Sequence, residues 1–175
     1  MPRPLTSVFL GLSLDGCIAG PGGDLSFLDT VTTDPPEDTG FATLLRTVDA
    51  LVMGRTTYET VAAFDPWPYE GKRTLVLTHR PLAARAGIET SGGPLADILE
   101  ALGNEGVAHV YLDGGDVVRQ ALTADLIDRL TLSWVPVVLG KGMRLFDGDL
   151  PTRCFKLEGT SQFPSGLAQA RYVRG

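Results

Sequence analysis

The chain has 175 residues, 43% of them hydrophobic, and a net charge of −6 with no basic block. This length and apolar content exclude a disordered chain and fit one domain over 1–175 with a full core. The missing basic block excludes nucleic acid as a partner, because phosphate-backbone binding needs clustered Lys and Arg. A small anionic ligand stays open, since it needs only a local pocket.

In chain order, residues 8–14 read as a buried strand ending at the turn Asp15-Gly16. Cys17-Ile18-Ala19 reads as a short return strand, followed by the glycine-rich loop 20–24. Cys17 could act as a nucleophile, but no histidine lies near it in sequence, which favours a buried structural thiol. Residues 32–40 are acidic and contain proline, so they predict a surface connection. Helical spacing follows over 41–47, then a strand over 50–53 and a helix over 56–63. Two prolines and a glycine keep 65–71 irregular; Trp67 and Tyr69 there could wall a pocket or pin the loop. Strands are predicted over 74–77 and around 88–90, and a helix over 94–102 with Pro94 in its first turn. A strand over 109–112 leads to a helix over 116–122. Residues 126–139 read as one long strand with a bulge or end at Pro136. The tail, 155–163 and 167–173, reads as an antiparallel hairpin around Pro164-Ser165-Gly166.

Strands alternating with helices and then a strand-only end predict an α/β fold. Its form is a three-layer αβα sandwich around a mixed, mainly parallel sheet with an antiparallel C-terminal hairpin. Two cysteines far apart predict free thiols in a reducing cytoplasm. With only two histidines and no clustered cysteines, no metal site is expected. The N-terminus runs straight into a strand-like segment and no apolar run reaches membrane-spanning length, so neither a leader nor a membrane partner is expected.

Two junctions carry the chemistry. In each, an apolar run long enough for one buried strand ends at glycine and a helical pattern begins: Leu51-Val52-Met53-Gly54-Arg55-Thr56-Thr57, and Tyr111-Leu112-Asp113-Gly114-Gly115-Asp116-Val117. A helix start offers unpaired N–H groups and partial positive charge, and glycine lets a phosphate approach the backbone. Two such junctions could hold both phosphates of a dinucleotide. At the first, Thr56 and Thr57 add hydroxyls and Arg55 a fixed charge; Thr56 with Glu59 also reads as a capping box. At the second, Gly114 and Gly115 leave room for pyrophosphate and ribose, while Asp113 and Asp116 cap the helix, face away or bind ribose hydroxyls.

These segments occur with Ser13-Leu14-Asp15-Gly16-Cys17-Ile18-Ala19, Leu126-Ile127-Asp128-Arg129-Leu130 and Pro136-Val137-Val138-Leu139-Gly140-Lys141-Gly142. The set resembles the dihydrofolate reductase-like superfamily over nearly the whole chain. Within it, the resemblance is closer to the reductase domain of the bifunctional riboflavin-biosynthesis deaminase-reductase. It implies an NADPH-dependent reductase fold, usually dimeric in that branch. It also implies that Gly54, Arg55, Thr56 and Thr57 form the phosphate-binding turn, with Gly114, Gly115, Asp116 and Val117 forming the second cofactor turn. Ile18 and Ala19 would lie near the nicotinamide ring. The strand end Thr78-His79-Arg80 would meet the adenosine 2′-phosphate, so Arg80 with Arg55 would favour NADPH over NADH. A 2′-phosphate needs donors, whereas an NAD ribose site presents a carboxylate.

Asp15 is the carboxylate placed to act as a catalytic acid, with an Asp-Gly turn holding its own backbone as the alternative. Lys141 could touch an anionic substrate or be a solvated turn residue. The expected activity is hydride transfer from NADPH to a small heterocyclic or ribosylamino-pyrimidine substrate. The alternatives are true dihydrofolate reduction, set against by a much shorter loop after the first strand, and a non-catalytic NADP(H)-binding module. The apolar β-forming segments near the C-terminus further predict a homodimer that covers them.

Overall fold

A computed structural model describes residues 3–83 and 85–175. Ten strands and four α-helices follow in chain order among them: β1 Leu5–Leu12, β2 Cys17–Ala19, α1 Phe41–Thr47, β3 Ala50–Gly54, α2 Arg55–Val61, β4 Arg73–Leu77, β5 Ile88–Ser91, α3 Leu95–Asn104, β6 His109–Asp113, α4 Gly115–Thr123, β7 Arg129–Trp134, β8 Met143–Arg144, β9 Phe155–Gln162 and β10 Ala168–Arg174. Eight strands form one sheet in the order β5-β4-β3-β6-β1-β7-β10-β9. Pairing is parallel from β5 to β7, and β10 and β9 then add the antiparallel hairpin.

The near-continuous apolar run of β3 suits a central parallel strand covered on both faces. On one face lie α3, through Leu95, Ile98, Leu99 and Leu102, and α4, through Val117, Val118, Ala121 and Leu122. Those spacings give each helix a single apolar stripe, which buries against Val8, Val52, Val110 and Leu112 of the sheet. The opposite face is covered by α1 and α2 only over the β3–β6 half. An aromatic stack joins the layers there: Phe9–Phe41, Phe41–Tyr111 and Tyr69–Tyr111 have ring centroids 5.2, 5.9 and 6.3 Å apart. On the β7–β10 half of that face polar groups such as Ser7, Thr131, Gln169 and Arg171 line an open hollow of about 670 Å³. The three-layer α/β fold with its C-terminal hairpin is therefore as expected.

Two local readings gain detail and one is corrected. Of the alternatives read for 126–139, the strand ends at Pro136 rather than continuing: β7 covers Arg129–Trp134. After Val135 donates to Leu12 O at 2.7 Å, Pro136 has no N–H to continue the ladder. A tight turn closes around Pro136 instead, with Val137 N donating to Val135 O at 2.7 Å, and Leu14 N reaches Val137 O at 2.8 Å. Next, the short strand lies where it was expected, Cys17–Ala19, with Ser13 N donating to Cys17 O at 2.9 Å across the turn, and its ladder partner is the two-residue β8, too short to leave a periodic signal. Finally, the capping box is absent. Gly54 is the N-cap of α2, which places Thr56 inside the helix, and Glu59 pairs with Arg55 at 2.6 Å.

Candidate functional site

The parallel strands β3 and β6 are neighbours, so their C-terminal ends deliver both glycine junctions to one place. Gly114 has φ +91° and lies hard against Thr57: a Cβ there would overlap Thr57 Oγ1 and stand 3.1 Å from Thr57 Cβ. Only glycine allows the second junction to close on the first. At Gly115 an added Cβ would sit 2.7 Å from Ile18 Cδ1. A side chain in either position would thus fill the seam between β2, α2 and α4.

Beside this seam is a cavity of about 240 Å³. Of the residues singled out from the sequence, Ile18, Ala19, Gly54, Thr56, Thr57, Gly114, Gly115 and Asp116 line it. The lining also includes apolar side chains, Leu10, Leu25, Leu28, Val61, Phe64 and Met143. Asp113, Tyr69 and Tyr111 also line it. Strand alternation puts Tyr111 and Asp113 on the same sheet face, away from Val110 and Leu112.

Asp113 is the unusual group. It is buried, and Tyr69 Oη donates to its Oδ2 at 2.9 Å. The Tyr111 hydroxyl donates to Phe9 O at 3.0 Å, and its ring packs edge-on against Tyr69. Burial raises the Asp113 pKa above the ordinary 3.8, and the hydrogen bond from Tyr69 offsets this only in part. The Tyr69 phenol is likewise pushed up, first by burial and then by the neighbouring carboxylate. The site therefore holds a buried carboxyl group whose pKa is raised by burial, oriented by a tyrosine from the proline-rich loop.

The remaining singled-out residues lie outside the cavity lining. Asp15 holds the loop after β7: its carboxylate accepts from Ser13 Oγ at 2.6 Å, Leu139 N at 3.0 Å and Gly140 N at 2.8 Å. These bonds, led by that from Ser13, lower its pKa to about 2, so this carboxyl stays ionised. Val117 is core, packed 3.9 Å from where a Gly54 Cβ would be. Arg55 spans from Glu59 to the carbonyls of Arg80 and Pro81, at 3.4 and 3.1 Å. It ties the start of α2 to the turn Thr78-His79-Arg80, where Thr78 Oγ1 and Arg80 N are 3.2 Å apart. This turn forms an exposed rim with Arg80 at its tip.

The donors fit a dinucleotide. The start of α4 has no side-chain cap, so its first N–H groups stay available, and the Gly114–Gly115 cradle is one that a Cβ would fill. Thr56 and Thr57 line the same cavity from the other junction. Among the described residues, no cluster of His, Cys, Asp and Glu could hold a metal ion, and no helix is long and apolar enough to cross a membrane.

A mixed sheet of this order, with paired helix starts facing one cavity at its strand ends, defines the dihydrofolate reductase-like reductase fold. Residues 70–168 match the RibD C-terminal domain, and the chain belongs to that family. It is 33% identical to YwjB of Bacillus subtilis (strain 168) over 172 residues, 97% of each chain. The fold matches that of a candidate riboflavin biosynthesis protein of Shewanella sp. PV-4 with a TM-score of 0.90 and 36% identity, covering 98% of this chain and 99% of that one. A diaminohydroxyphosphoribosylaminopyrimidine deaminase/5-amino-6-(5-phosphoribosylamino)uracil reductase of Thermotoga maritima shares the fold at TM-score 0.72. That match has 17% identity and covers 99% of this chain and 57% of the other.

Proposed function

We propose that the protein is an NADPH-dependent reductase acting on a C=N or C=O bond of a small nitrogen heterocycle or ribosylamino-pyrimidine. One observation carries the reading: two glycine strand ends and a buried carboxyl group, Asp113, share one cavity. Membership of the RibD C-terminal domain family supports it, as does the reductase named for the Thermotoga maritima protein of the same fold.

In this reading Gly54, Thr56, Thr57, Gly114, Gly115 and the open start of α4 hold the cofactor's phosphates. Ile18 and Ala19 wall the nicotinamide, and Asp116 and Val117 fix the first turn of α4 beneath it. Arg80, with Thr78 and His79, meets the 2′-phosphate, and Arg55 sets that turn in place. NADPH supplies the hydride when bound. The chain's own groups do the rest: Leu10, Leu25, Leu28 and Phe64 exclude water, and Asp113 holds at its carboxyl the proton that the reduced nitrogen or oxygen takes up. Once that proton leaves, the Tyr69 hydroxyl and the Gly114 N–H stabilise the carboxylate. A cytoplasmic setting belongs to the same proposal, supported by two unpaired thiols, Cys17 and Cys154.

The test is NADPH titration and oxidation with a panel of pyrimidine and pterin substrates, on the wild type and Asp113→Asn. The variant keeps the volume and removes the titration. It should bind NADPH within about twofold of wild type, yet turn over about 10²–10⁴-fold more slowly. The wild-type rate should fall as pH rises through the raised Asp113 pKa, and the variant's rate should not. Stability follows the same sign. A carboxyl with a raised folded pKa contributes fully below its unfolded value of 3.8 and loses that contribution as pH rises through the folded value. Tight NADPH binding without turnover on any substrate would leave a binding module in place of the enzyme.

A further inference from the structure

We infer that Arg119 is a positioning residue for the proposed reaction. From α4 it holds the β2–β8 pair in place, and with it the Ile18–Ala19 wall against which the nicotinamide end of the cofactor rests. The inference depends on the reductase reading for what lies against that wall, and on geometry alone for the hold. β2 and β8 stand outside the eight-stranded sheet, so its ladder does not fix them. Ile18, Ala19 and the Ala19 partner Met143 line the cavity, whereas Arg119 does not. Arg119 therefore acts on the site through other groups.

The helix is a firm base, with Val117, Val118 and Ala121 at 1% exposure or less in the main core. On its side toward β2, Gly115 leaves a space that two side chains fill. An added Cβ there would stand 2.7 Å from Ile18 Cδ1 and 3.1 Å from Arg119 Nη1. From this position Arg119 Nη1 donates to Arg144 O at 2.9 Å and to Leu145 O at 3.5 Å. Arg144 is the ladder partner of Cys17. Nη2 of the same guanidinium pairs with Asp116, three residues earlier on α4. One planar fork thus spans helix and strand, and each arm fixes the direction of the other. Two further bonds of this segment, Leu145 N to Gly16 O at 3.0 Å and Arg144 Nη1 to Asp15 O at 3.3 Å, go to the turn before β2. They bind the pair to itself, whereas Arg119, beside the buried Leu145, binds it to the helix.

The experiment uses the full chain and its two thiols. Cys17 lies buried on β2 and Cys154 is exposed, so a thiol reagent should label Cys154 at once and Cys17 only when β2 opens. Arg119→Met keeps the apolar stem and removes the donors. Without denaturant it should label Cys17 about tenfold or more faster than wild type. By calorimetry it should bind NADPH about tenfold more weakly, while 2′,5′-ADP, which lacks the nicotinamide, binds within about twofold of wild type. Should that variant not fold, Arg119→Lys, which keeps one charged donor, should show the same pattern with smaller shifts. Arg153→Met is the control. It removes contacts at the far end of α4, to Leu122 O and Thr123 O at 2.9 and 2.8 Å. It should lower stability without changing Cys17 labelling or the ratio of the two ligand affinities. Cys17 labelling at the wild-type rate in the Arg119 variants, or a rise as large in Arg153→Met, would overturn the hold. Equal losses of NADPH and 2′,5′-ADP would overturn its action on the nicotinamide end. A wild type that binds neither ligand would sink the reductase reading, with Cys17 labelling still deciding the hold.

Discussion

Replacing Gly114 by alanine tests whether the two junctions are built as one unit. Two effects combine. The backbone at φ +91° and ψ 148° lies in a region nearly restricted to glycine, so any side chain there costs about 1–3 kcal/mol. The new methyl would also overlap Thr57 Oγ1, and such overpacking adds about 1–3 kcal/mol. The sum, about 2–6 kcal/mol, corresponds to a fall in Tm of about 5–20 °C for a chain of this size. The second effect is separable. Thr57→Ala removes the hydroxyl and leaves Cβ at 3.1 Å, a contact that a shift of a few tenths of an ångström relieves. Urea and thermal unfolding of the four proteins in the cycle should give a double variant about 1 kcal/mol or more better than the sum of the singles. Additivity within about 0.5 kcal/mol, or a Gly114→Ala protein as stable as wild type, would refute the contact.

Asp15→Asn should lower Tm at neutral pH, because it weakens the acceptor for the Leu139 and Gly140 N–H groups. Since the Asp15 pKa is depressed, its contribution is present above the unfolded value of 3.8 and lost as pH falls through about 2; calorimetry should show the Tm difference closing in that window. Arg80→Ala should weaken NADPH binding about tenfold while sparing NADH, and Arg55→Ala should in addition lower Tm by freeing the 80–81 carbonyls. Equal losses for both cofactors on fluorescence titration would remove the 2′-phosphate assignment. Light scattering should give about twice the 18.6 kDa chain mass, with the open polar half of the sheet covered; a single-chain mass across dilution would count against pairing.

Legibility differed by element for physical reasons. The helix at Phe41–Thr47 and the hairpin of β9 and β10 follow local spacing and turn chemistry, and both lie where the sequence puts them. The two glycine junctions were legible because each is a contiguous strand-turn-helix pattern. Asp113 was not legible as an acid. A carboxylate after an apolar run also reads as a turn residue, and its surroundings come from Tyr69, which lies 44 positions away in sequence. Leu25, Leu28 and Phe64 lie outside the regular α-helices and strands, so no periodicity marks them as cavity wall. Arg55 reads as a free charge in sequence because the groups that hold it include backbone carbonyls, which no side-chain pattern reveals.

The strand that carries Ile18 and Ala19 stands, with β8, apart from the main sheet. β2 has three residues and pairs only with the two of β8, outside the eight-stranded sheet. Its remaining ties include Cys17 N to Ser13 Oγ at 2.9 Å and Gly142, where a Cβ would collide with Ala19 O. Few bonds need break for this wall to swing out, and none of them belongs to the main ladder. On that count the amides of β2 are expected to exchange with solvent before those of β3 or β6, which hydrogen-exchange measurements would read. A ligand that closes this wall does so against only a small part of the molecule's total stability.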